Sequence, residues 1–118
     1  MTIHIIAEFK GVEPRKISKV EAVKEILDTI IKNADLNVLD FTSHQFKPHG
    51  VTCMYLLSES HLCVHTWPEY SYLTLDLFSC DKSDEKAFKA LELTERLLRP
   101  KEVEVKTIRQ KLLGEIDR

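Results

Sequence analysis

Hydrophobic and polar residues alternate along this chain with two different periods. Thr2 to Phe9 is β-branched and apolar with Glu8 late in it, and Gly11 and Pro14 follow as turn signals, which predicts a strand. Val20, Val23, Leu27, Ile30 and Ala34 then recur at the helical interval, while Lys24, Glu25, Asp28 and Lys32 fall mostly elsewhere on the cylinder. Ser18 with Glu21 three residues later predicts a capping box at the start of that helix. The pattern turns extended from Asn37 to about Phe46, breaks at Pro48 and Gly50, and resumes as strand-like runs over Val51 to Ser58 and His61 to Thr66. Ser71 to Cys80 alternates cleanly, with Leu73, Leu75 and Leu77 on one side and Tyr72, Thr74, Asp76, Phe78 and Cys80 on the other. Ser83 is the expected cap of a second helix, with Asp84 and Glu85 in its first turn, Phe88, Leu91 and Leu98 as its buried stripe and Pro100 as its stop. Residues 101 to 109 supply a last strand through Val103 and Val105, and the tail after Gly114 reads as unattached.

Strand, helix, several short strands, helix, strand, with hairpin-length connections in the middle, predicts an α+β fold: a two-layer sandwich of an antiparallel sheet with two helices on one face. No repeat, linker or low-complexity segment divides residues 1–118, so one domain is expected. The uncovered face would mix Tyr, Phe and Cys with polar residues, which invites a second copy of the chain. A homodimer in four layers, helix, sheet, sheet, helix, follows as an expectation.

Composition narrows the function classes. A chain of 118 residues is large enough to bury a core without disulfides or metal. Seventeen basic and nineteen acidic residues give a formal charge of -2, without the clustered basic run of a nucleic-acid surface. No apolar stretch is long enough to span a bilayer, and the N-terminal residues do not read as a signal peptide. Cys53, Cys63 and Cys80 are an odd number without C-x-x-C spacing, which fits a reducing, cytoplasmic setting.

The candidate chemistry is central. His61, Cys63 and His65 share one side of a strand, but the outer pair is about 13 Å apart, too far to share one ion without sharp bending, so no metal site is expected. Beside them, Glu59 and Ser60 fall at a junction between strands, where a tight turn can hold a peptide off its relaxed geometry. The Ser60 hydroxyl could attack the Glu59 carbonyl there, given a donor for the developing oxyanion. Thr52, or backbone amides near it, is a candidate donor, and His65 a candidate base for removing the Ser60 α-proton in a subsequent elimination.

The stretch from Phe46 to Cys80, with its S-E-S-H-x-x-x-H-T-W-P-E-Y core and D-L-F-S-C ending, resembles the prokaryotic S-adenosylmethionine decarboxylase family, the pyruvoyl-dependent enzymes of polyamine synthesis. The opening H-x-x-A-E-F at His4 to Phe9 matches as well. The resemblance implies self-cleavage between Glu59 and Ser60, leaving a β chain of residues 1–59 and an α chain of residues 60–118 headed by a pyruvoyl group made from Ser60. It also implies that His65 serves processing, that Cys80 returns a proton to the substrate α-carbon, that Glu69 holds the ribose hydroxyls, and that Phe46 stacks on adenine. A thiol suits proton return, since an ordinary one titrates near ~8.5 and is mostly protonated at neutral pH.

The chain departs from the family pattern at several positions. Thr52 replaces a usual Ser, keeping the hydroxyl but stiffening the side chain, Ser71 and Asp81 replace glycines, and Leu73 and Thr74 sit where small residues are common. Thr2 and Ile3 precede His4 where Gly and Arg are common. These changes leave two alternatives beside S-adenosylmethionine. One is ornithine or arginine as substrate on the same scaffold, with Asp76 or Asp81 facing the cationic side chain. The other is an unprocessed paralogue that binds a ligand or partner without catalysis.

Overall fold

Residues 2–58, 60–81 and 83–111 are described by the computed structural model of the chain. Their elements run β1 (Thr2–Lys10), α1 (Val20–Asn33), β2 (Val38–Gln45), β3 (Val51–Leu57), β4 (Ser60–Trp67), β5 (Tyr72–Ser79), α2 (Glu85–Leu98) and β6 (Glu102–Gln110). Every strand pairing is antiparallel, in the order β2-β3-β4-β5-β1-β6. The expected α+β class and element order are therefore observed. The tail after Gly114 lies outside the described residues.

Period two decides which side of the sheet is dry. Ile5, Ala7 and Phe9 of β1, fully buried, pair in register with Leu77, Leu75 and Leu73 of β5, so six apolar side chains leave one face together. That face meets Val23, Leu27 and Ile30 of α1 and Ala87, Ala90 and Leu98 of α2. Each buried Val, Leu or Ile among them contributes roughly 1.5–3 kcal/mol, and each alanine methyl correspondingly less. Phe88 and Leu91, expected in the buried stripe of α2, are only partly buried, because the face of α2 turned to the core is that of Ala87, Ala90, Thr94 and Leu98.

Two expected caps differ from what the fold contains. Ser18 does not close a capping box, since its hydroxyl donates to the Pro14 carbonyl at 2.7 Å. The first orphan amide of α1 is satisfied from another element: Val20 N–H donates to Gln45 Oε1 at 2.8 Å, across the gap between helix and β2. At α2 the N-cap position is Asp84, which makes no side-chain cap, and the Ser83 hydroxyl accepts from the Glu85 amide at 3.1 Å instead. Arg99, with φ 49, and then Pro100 end that helix as expected.

The second face is open. It carries His4, Ile6 and Glu8 of β1, Thr52, Met54 and Leu56 of β3, His61, Cys63, His65 and Trp67 of β4, and Tyr72, Thr74, Asp76 and Phe78 of β5. Leu56 is 52% exposed and Met54 45%, a large apolar area for a sheet surface left to water.

Candidate active site

The antiparallel register of β3, β4 and β5 gathers the chemistry at two opposite ends of β4. Thr52 lies across from His65 at one end, while Leu57 and Ser79 flank Ser60 at the other.

At the His65 end, residues 46–50 turn from β2 into β3 and wall a cavity of about 300 Å³, lined by Phe46, His49, Thr52, His65, Trp67 and Glu69. The turn is held by Phe46 N–H donating to the Gly50 carbonyl at 2.8 Å and by Gly50 N–H donating to Ser18 at 3.0 Å. Gly50 has φ 111, a conformation that an L side chain rarely adopts. The Gln45 amide that caps α1 also lies 3.0 Å from the Ser18, Phe46 and Gly50 carbonyls, tying the helix start to the cavity wall.

Both nitrogens of His65 have partners. Nδ1 is 3.0 Å from Thr52 Oγ1, and Nε2 is 3.4 Å from Cys63 Sγ. Burial pushes the Cys63 thiol above its ordinary range, and the negative charge of Asp76 adds to that. Glu69 sits on a short 3-10 turn with its carboxylate 3.7 Å from His49 Nε2. That turn ends at Ser71, with φ 53, a left-handed conformation that glycine adopts at less cost than serine. Phe46 meets His44 edge-on at 4.6 Å, and Trp67 lies between His65 and Tyr72.

At the other end, Ser60 opens β4 immediately after the β3–β4 connection, half-buried beside Ser79. Cys80 follows Ser79 directly and is also half-buried. Glu59, the other residue of the expected cleavage site, lies outside the described residues. Inward along the open face, His4 Nε2 is 2.5 Å and His61 Nε2 3.8 Å from the same Asp76 oxygen. The His61 ring stacks on Phe78 at 5.6 Å.

Six of the residues singled out in the sequence thus fall into two groups: Phe46, Thr52, His65 and Glu69 together, and Ser60 with Cys80. Within the single chain the two groups do not meet. Five residue steps along the strand from Ser60 to His65 span roughly 16 Å, and an odd separation sends the two side chains to opposite faces. Sequence reasoning gave no role to Gln45, His49 or Trp67, and it set Cys63 and His65 on one side of a strand without the contact between them. Trp67 carried a signal as the lone tryptophan inside the motif, whereas nothing local marks Gln45 as a helix cap.

Comparison with known proteins agrees with this architecture. A family model for S-adenosylmethionine decarboxylase matches residues 3–111. An S-adenosylmethionine decarboxylase proenzyme of Persephonella marina is 45% identical over 104 residues, 88% of this chain and 77% of that protein. One from Archaeoglobus fulgidus is 46% identical over 88 residues, 73% of this chain and 79% of that protein. The crystal structure of the adenosylmethionine decarboxylase from Aquifex aeolicus superposes with a TM-score of 0.91 at 32% identity, covering 100% of this chain and 97% of that one. A Trypanosoma brucei structure shares the fold alone, with a TM-score of 0.64 at 11% identity over 87% of this chain and 44% of that one.

The fold, shared with an adenosylmethionine decarboxylase, and relatives that are S-adenosylmethionine decarboxylase proenzymes define a carboxy-lyase. The chain belongs to the S-adenosylmethionine decarboxylase family. No helix among the described residues is long and apolar enough to cross a membrane.

Proposed function

We propose that this chain is a proenzyme that cuts its own backbone between Glu59 and Ser60 and then removes carbon dioxide from S-adenosylmethionine, giving the aminopropyl donor for spermidine synthesis. The observation that carries the reading is the position of Ser60, at the first residue of β4 after a hairpin, with Cys80 one residue past its neighbour Ser79. In the processing reaction Ser60 Oγ attacks the Glu59 carbonyl carbon, and the peptide C–N bond breaks to leave an ester and a free amine. Removal of the Ser60 α-proton then expels the Glu59 carboxylate by breaking the Cβ–Oγ bond. Addition of one water and loss of one ammonia convert the remaining enamine to a pyruvoyl group. Thr52 is the donor to the oxyanion and His65 the base.

The residues suit that group: a half-buried serine provides its three carbons, and the Cys80 thiol stands on the adjacent strand end. Once formed, the pyruvoyl group supplies a carbonyl that accepts the electron pair released as carbon dioxide leaves. Cys80 then donates a proton to the substrate α-carbon, Phe46 offers an aromatic face to adenine and the sulfonium, and Glu69 accepts from the ribose hydroxyls.

Because Ser60 and His65 lie at opposite ends of one strand, the reading requires a homodimer whose open faces meet. A twofold axis crossing the strands would bring the His65 end of one sheet to the β4 start of its partner, where Ser60, the first residue of the strand and directed to the helix side, would be reached past the end of the sheet, completing two sites. Exposed Leu56, Met54, Ile108 and Ile6 on the open face support this packing.

Ornithine or arginine is the weaker reading. Asp76, the carboxylate best placed for a cationic side chain, already faces both His4 and His61. A cavity of about 300 Å³ walled by Phe46 and Trp67 suits a flat ring better. Carbon dioxide release measured side by side with S-adenosylmethionine, ornithine and arginine tests the substrate. Release from S-adenosylmethionine alone is expected, and release only from a basic amino acid would overturn the assignment.

A further inference from the structure

We infer that Cys63 is a positioning residue for His65: its thiol donates to Nε2 and holds the imidazole in the Nδ1–H tautomer, which in turn leaves the Thr52 hydroxyl proton free for the oxyanion. This deepens the processing role proposed for His65 and Thr52. Cys63 and His65 alternate on β4 and so leave the same face, with Sγ 3.4 Å from Nε2 and Cys63 only 7% exposed.

A neutral imidazole has one donor nitrogen and one acceptor nitrogen, and the partner of one nitrogen sets the state of the other. Two arrangements satisfy the contacts at 3.0 and 3.4 Å. In the first, Cys63 S–H donates to Nε2 and Nδ1–H donates to Thr52 Oγ1. In the second, Nε2–H points at sulfur and the Thr52 hydroxyl donates to Nδ1. The second relies on sulfur as acceptor, a weak one, and consumes the only proton Thr52 has to offer. The first uses each group at its better function. Burial and the Asp76 charge favour it further, since both keep the thiol protonated and able to donate. A thiol is a weak donor, so it aims the Nε2 lone pair yet yields readily when a substrate proton arrives.

The test reads the tautomer directly. In the full chain carrying Ser60→Ala to prevent cleavage, the ring ¹⁵N shifts of His65 are recorded at alkaline pH, with His65→Gln to assign them. The unsubstituted site is expected to show Nδ1–H. Cys63→Ala and Cys63→Val, which lack a donor, should move the population toward Nε2–H, and Cys63→Ser should restore it. With Ser60 present, the two apolar variants should process about 3- to 30-fold more slowly, against the 10²–10⁴-fold expected for loss of the base itself. An Nε2–H tautomer in the unsubstituted site, or one unchanged in both apolar variants, would overturn the role of Cys63. Should both apolar variants fail to fold, the unsubstituted tautomer decides alone. Wild-type cleavage by His65→Gln would instead remove the processing role of His65, an outcome separate from the tautomer.

Discussion

Cys80 stands next to Ser79, the residue that Ser60 faces across the sheet, and this neighbourhood separates its function from that of His65. A thiol at that place is near the chain end that the proposed cleavage would create, and the proposed processing steps make no use of it. Replacing it with alanine should leave self-cleavage within a few-fold of normal, followed on a denaturing gel, while decarboxylation falls by about 10²–10⁴-fold for want of a general acid. Full turnover by Cys80→Ala would show that the proton comes from elsewhere. The role proposed for Cys80 comes from the family motif alone, because a single cysteine at a strand end is more often a small buried hydrophobe.

At the level of elements, the strands and helices were readable because burial imposes periods. Leu73, Leu75 and Leu77 are 2%, 1% and 1% exposed, as their alternation requires, and Val23, Leu27 and Ile30 form the inner stripe of α1. Local capping signals failed where a distant side chain competed successfully. Gln45 takes the Val20 amide that Ser18 and Glu21 were expected to organise, and no window of sequence around the helix contains that residue. Ser71 illustrates the reverse case, a departure noticed in sequence whose cost becomes visible in its φ of 53. Ser71→Gly relieves the left-handed strain and should stabilise the uncleavable Ser60→Ala chain by roughly 0.5–1 kcal/mol, the strain gain offset in part by the extra freedom of glycine when unfolded. Denaturant titration checks this, and a destabilised variant would mean that the serine side chain makes a compensating contact.

For the whole molecule, the separation of Ser60 and His65 has the largest consequence. Each residue was found from the motif, and the five-residue interval already encoded their distance, but only the unbroken β4 shows that the interval is straight strand. A chain with His65→Ala and a chain with Ser60→Ala should each remain uncleaved alone. Mixed under conditions that exchange subunits, the His65→Ala chain should be cut, because its intact Ser60 meets the His65 of a Ser60→Ala partner. Continued silence of the mixture, with mixed dimers demonstrated, would exclude a site shared between protomers.

All of these roles depend on one peptide bond being broken by the serine that follows it. Denaturing mass spectrometry of purified, catalytically active protein examines that bond directly. Self-processing gives two chains, residues 1–59 and residues 60–118, the second lighter by one ammonia than a chain beginning with serine. An intact chain of 118 residues as the active species would contradict it.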